Sequence, residues 1–149
     1  MFHRISQPEQ AMAAWQADFD LRPDNAPLPA DFRERLDALL PRAKSWSPEL
    51  EMWGSESGNR IDIWPTRDSS GGEAMLRFDL REYDPRWGAQ VLAVVHGIGR
   101  ALWPVWSDGP VIRDAGELTF ALRGSPAFRF VEDPEAFLRR VSLGGREDA

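Results

Sequence analysis

Between Pro48 and Arg81 the apolar residues recur at every second position, a rhythm that suits a β-strand and little else. Leu50 and Met52 alternate with Glu49, Glu51 and Trp53; Ile61 and Ile63 with Arg60, Asp62 and Trp64; Leu76, Phe78 and Leu80 with Met75, Arg77, Asp79 and Arg81. Ser55-Glu56-Ser57-Gly58-Asn59 and the stretch from Arg67 to Gly72 separate these runs as turns. The pattern predicts a three-stranded antiparallel meander. One face is apolar, and the other bears carboxylates, arginines, a methionine and two tryptophans.

An apolar sheet face has to be covered, and the flanking sequence supplies helices to cover it. Ser6-Gln7-Pro8-Glu9 has capping-box spacing, and Ala11, Met12, Trp15 and Phe19 follow at helical intervals, predicting a helix over 7–18. Pro23, Pro27 and Pro29 impose an irregular connection. A second helix is expected over 30–42, with Phe32, Leu36, Leu39 and Leu40 on one side. Asp84-Pro85 is an N-cap and N1 pair opening a helix over 85–102. Its apolar stripe of Trp87, Val91, Val94, Val95, Ile98 and Leu102, widened by Leu92, Gly99 and Trp103, marks it as the central core helix, and Gly97 and Gly99 suggest that another element approaches closely. Residues 103–110 break the pattern. Glu117 to Arg123 reads as helical, Ser125-Pro126 caps a further turn, and Asp133-Pro134 opens a last short helix with Phe137, Leu138 and Val141, before a frayed tail over 144–149. The 149 residues suit one domain over 1–149, of the α+β class: the meander packed against several helices.

Charge and composition narrow the function. Eighteen basic against twenty-four acidic residues give −6, which repels nucleic acid and anionic lipid and favours a basic protein partner. No cysteine and two histidines, His3 and His96, leave no disulfide, no thiolate zinc site and little for a histidine-based metal site. The first residues lack the apolar core of a signal peptide and no apolar run reaches the ~18 residues of a membrane span, so a cytoplasmic protein is expected.

No catalytic constellation emerges. His96 could act as a general base, but a lone histidine without a sequence-adjacent partner reads first as a half-buried helix residue. Ser107 and Ser125 stand in no nucleophile elbow. Asp18, Asp20 and Asp24 approach a calcium loop, but Arg22 occupies a ligand position and the glycine is missing. Gly97-Ile98-Gly99 starts a dinucleotide fingerprint without its third glycine, too late in a helix to present free N–H groups. Carboxylate pairs such as Glu49 with Glu51, or Asp62 with Asp79, are what any solvated sheet face supplies. No metal or cofactor is expected. The feature with most content is the outward sheet face: Trp53 and Trp64 ringed by Glu49, Glu51, Asp62 and Asp79 have the composition of a patch that binds a basic protein. If a helix covers that face, the same tryptophans are core.

The stretch Ala121-Leu122-Arg123-Gly124-Ser125-Pro126-Ala127-Phe128-Arg129-Phe130-Val131-Glu132-Asp133-Pro134-Glu135-Ala136-Phe137-Leu138 is similar to the ending of small acidic bacterial proteins of the immunity type, which neutralise a cognate toxin. The resemblance implies a cytoplasmic, non-catalytic toxin-binding protein and assigns no residue a role. The alternative is a small-molecule binder or enzyme with a pocket near His96 and Trp103.

Overall fold

Among the described residues six strands, not three, build the sheet. The computed structural model describes residues 12–67 and 71–135. Strands β1 (Gln16–Arg22), β2 (Arg42–Ala43), β3 (Glu51–Gly54), β4 (Arg60–Pro65), β5 (Gly72–Asp79) and β6 (Ala101–Pro104) pair antiparallel in the order β2-β3-β4-β5-β1-β6. The expected meander is its β3-β4-β5 portion. Both of its hairpins turn on glycines with positive φ, Gly54 at 94° and Gly72 at 131°, where a Cβ would collide with the carbonyl oxygens of Asn59 and Trp64.

The expected helix over 7–18 is corrected where it can be seen: residues 16–22 are β1, and residues 7–11 lie outside the described ones. Ala17, Phe19 and Leu21 are buried, and Phe19 fits a helical spacing from Trp15 as well as it fits this alternation. Long-range pairing decides between the two readings, because Phe19 lies opposite Leu76 on one side and Pro104 on the other.

Four helices are found among the described residues, three of them opened by a capping side chain. The expected helix over 30–42 shortens to α1 (Phe32–Asp37), which lacks a side-chain N-cap bond and buries Phe32 and Leu36. Helix α2 (Pro85–Gly97) starts where expected, the Asp84 carboxylate accepting from the Arg86 backbone N–H. It stops earlier than residue 102, because Gly99 at φ 83° lets the Gly99 and Arg100 N–H groups donate back to the His96 and Val95 carbonyls. These glycines end the helix, and Leu102 and Trp103 belong to β6. Helix α3 (Ala115–Arg123) is capped by Asp114, and α4 (Pro126–Glu132) by the Ser125 hydroxyl, which accepts from the Phe128 N–H. Of the last expected helix, residues 136–141 lie outside the described ones, as does the tail over 144–149.

The core is sandwiched between one sheet face and the helices. Phe19, Leu21, Trp53, Ile61, Ile63, Leu76 and Phe78 meet Phe32, Leu36, Val91, Val95, Ile98 and Leu118 there. Phe78 sits at its centre, edge-on to Phe19, Tyr83 and Trp87 with ring centroids 5.5–5.6 Å apart. Arg100, 3% exposed, closes one end by donating to the carbonyls of Leu21, Asp24, Ala26 and Gly72. Burial pushes its guanidinium below its ordinary value, opposed by the nearby Asp24 carboxylate.

Candidate protein-binding face

The sheet face turned away from the helices is charged, as the alternation predicts, yet much of it is buried. Arg60 lies opposite Arg77 across β4 and β5, like charges in direct cross-strand register. Each guanidinium is answered by a carboxylate. Arg60 donates through Nε and Nη2 to Asp62 at 2.8 and 3.0 Å, and Arg77 to Asp18 at 2.7 and 3.1 Å. Arg60, Asp62 and Arg77 are all under 4% exposed. At the near end, Arg81 grips the buried Asp79 at 2.8 Å, while Gln16 and Trp15 donate to carbonyls of the 56–58 segment and fold that hairpin loop over the sheet.

The six residues expected to form a partner surface therefore separate. Asp62 and Asp79 are on the expected face but buried and paired, so they cannot steer a partner. Trp53 is on the opposite face: the register Trp53↔Ile61 and Met52↔Asp62 turns the indole into the helical core and the methionine outward, the reverse of the expectation. There its Nε1–H donates to the Asp37 carboxylate of α1 at 2.7 Å, and Arg42 lies 4.6 Å from its ring centroid. Glu51 sits at the sheet margin on that same side, accepting two bonds of 2.7 Å from Arg33 and a further one from Arg42. Glu49 is exposed in the loop before β3. Trp64 remains on the charged face, half-buried, its indole N–H without an acceptor among the described residues.

Sequence reasoning missed Trp46. Its ring meets Trp64 edge-on at 5.5 Å and is 41% exposed. It stands between serines in an irregular connection, outside any periodic pattern. Trp46 also lines a cleft with Lys44, Met52 and Glu56. Trp64 lies opposite Glu73, and Glu73 lines a second cleft with Asp20, Arg22 and Asp24.

The hydrogen bonds from Arg33, reinforced by the charges of Arg33 and Arg42, hold the Glu51 carboxyl below its usual range against the opposing effect of burial. A carboxylate with a depressed folded-state pKa contributes stability above its unfolded value, and that contribution is lost as pH falls through the folded value. On acidification from the ordinary carboxylate range downward, wild-type stability should fall more steeply than that of Glu51→Gln. Parallel urea-unfolding curves across that range would show that Glu51 is not linked to folding.

His96 and Trp103 do not converge. His96 is exposed at the C-terminal end of α2, rather than half-buried. Trp103 is opposite Asp20 on the charged face of the sheet, with the Arg22 guanidinium 5.4 Å from its ring. Among the described residues, no group of three or more His, Asp or Glu side chains is placed to hold a metal ion, and no helix is long and apolar enough to cross a membrane.

No family model matches the chain, and no solved structure matches it. It is 34% identical over 119 residues to Protein ImuB in two strains of Caulobacter vibrioides, an alignment covering 77% of this chain and 26% of that protein. It is 32% identical over 108 residues to the electron transfer flavoprotein beta subunit lysine methyltransferase of Xenopus laevis, covering 70% of this chain and 41% of that protein. The chain thus spans about a quarter of the length of one relative and two-fifths of the other, and the two carry unlike names.

Proposed function

We propose that the domain is a non-catalytic protein-binding module of the immunity type, which docks a basic partner, such as a cognate bacterial toxin, along the exposed margin of the charged sheet face. The observation that carries this reading is the continuity of aromatic and acidic side chains there. Glu56 shares a cleft with Trp46, Trp46 packs on Trp64, Trp64 lies opposite Glu73, and Asp24 lies beyond Glu73 in the second cleft. Glu49 adds an exposed carboxylate beside Trp46 in sequence. Lys44 and Arg22 share these clefts, and Arg22 is bonded to Asp20 at 3.3 Å. An exposed indole supplies the desolvating anchor, and the surrounding acids raise the encounter rate with a cationic surface. The ion pairs Arg60–Asp62 and Arg77–Asp18 lie on the same face, too buried to touch the partner themselves. The chain's −6 charge and its similarity in the Ala121 to Leu138 stretch to immunity-type proteins agree with this reading.

The test is paired affinity capture from the source cell, with the wild type and a Trp46→Ala, Glu49→Lys, Glu56→Lys variant as baits. All three side chains are exposed, so the variant should keep its circular dichroism spectrum. A basic protein should be retained by the wild type and lost by about tenfold or more from the variant. Equal retention by both baits would remove the proposal.

A further inference from the structure

Where an arginine of this chain lies over an aromatic ring, a carboxylate holds it there. Among the described residues four guanidinium groups stand over rings: Arg22 over Trp103 at 5.4 Å, Arg33 over Phe32 at 4.4 Å, Arg42 over Trp53 at 4.6 Å and Arg81 over Trp15 at 4.2 Å. Each is also paired with an acid, Arg22 with Asp20, Arg33 and Arg42 with Glu51, and Arg81 with Asp79. The combination has a physical reason. The face of the ring attracts the cation, and a planar guanidinium can lie along that face while its N–H groups reach sideways to a carboxylate, which a compact ammonium cannot do.

The Trp46 and Trp64 pair has two of these three parts. The rings meet at 5.5 Å and 68°, a corner and not a flat stack, and Trp46 is exposed. Glu56 lines the same cleft as Trp46, is exposed, and makes no ion pair among the described residues. No arginine among the described residues stands over either ring, and Lys44, in that cleft, neither lies over them nor pairs with Glu56.

We propose that this corner receives an arginine side chain of the basic partner, its guanidinium lying against the Trp46 indole and donating to the Glu56 carboxylate. The inference rests on the reading of this margin as a docking face, and it narrows what the partner brings there. Acids alone would attract lysine and arginine alike, whereas a ring beside a carboxylate selects the planar cation.

Titration of the protein with tetra-arginine amide, followed by NMR at the indole N–H resonances, tests this without the partner. The Trp46 and Trp64 signals should shift saturably, and that of Trp103, whose ring already carries Arg22, should stay in place. Tetra-citrulline amide keeps the shape, loses the charge and should move none of them. Tetra-lysine amide, of equal charge, should bind about fivefold more weakly than the arginine peptide, and Trp46→Leu, which leaves net charge unchanged, should weaken the arginine peptide by about the same factor. Equal affinity for the arginine and lysine peptides, shifts produced by the citrulline peptide, or a folded Trp46→Leu protein that binds like the wild type overturns the proposal. If Trp46→Leu does not fold, the three peptides on the wild type decide it. A basic partner captured through the margin by a protein without this preference would sink the arginine site and leave the docking face standing; arginine-selective binding with no partner retained would do the reverse.

Discussion

Trp53→Ala is expected to cost about 3–5 kcal/mol of folding stability, the range for truncating a fully buried large aromatic residue. The residue is 0% exposed, fills the space between β3 and α1, and supplies the N–H that the Asp37 carboxylate accepts at 2.7 Å. The loss should appear in urea unfolding as a lower midpoint with an unchanged slope, and in calorimetry as a fall in Tm on the order of 10 °C. Trp53→Phe separates the two contributions. It keeps most of the apolar volume and removes the donor; because Asp37 is exposed, water takes over the carboxylate, and the change should cost much less than the alanine substitution. An alanine variant within about 1 kcal/mol of the wild type would mean that this corner repacks freely and that the indole is no keystone.

The second large effect is expected at the buried Arg60 and Asp62 pair. Asp62→Ala removes both carboxylate oxygens to which Arg60 donates and leaves a guanidinium 0% exposed facing Arg77 across the strands. Breaking a buried pair by deleting one partner costs about 3–5 kcal/mol, whereas replacing both by apolar groups of similar volume can approach neutrality. A double-mutant cycle reads the difference. Arg60→Met with Asp62→Leu should be more stable than Asp62→Ala alone, and its loss should be well below the sum of the single losses. Additive losses would show that the two side chains do not act as a unit.

These two sites also mark where the sequence was legible and where it was not. Boundaries set by neighbouring residues could be read: Asp84-Pro85 opens α2, and Ser125-Pro126 opens α4. The strands β4 and β5 are long enough for their alternation to fix which face is apolar. Strand β3 has four residues, too few to fix its parity, and a shift of one residue exchanges Met52 with Trp53. Strand β1 was hidden because Trp15 and Phe19 also satisfy a helical period, and its partners lie on β5 and β6, far along the chain. At the candidate site, Asp62 and Asp79 could be assigned to a face but not to a depth. An Arg-x-Asp alternation looks alike on a solvated ladder and a buried one, and burial here depends on pairings such as Arg77 with Asp18, 59 residues apart. Trp46 carried no periodic signal.

The two border strands limit how anything can associate with this sheet. On one side β2 is two residues long; on the other β6 ends at Pro104, which has no N–H to offer, and Ile112 already bridges Leu102. Among the described residues, main-chain extension by a foreign peptide would meet only short runs of donors and acceptors at these borders, which disfavours edge-to-edge pairing. A partner of the proposed margin would therefore be read through side chains, where single substitutions can retune the contact without disturbing the ladder beneath.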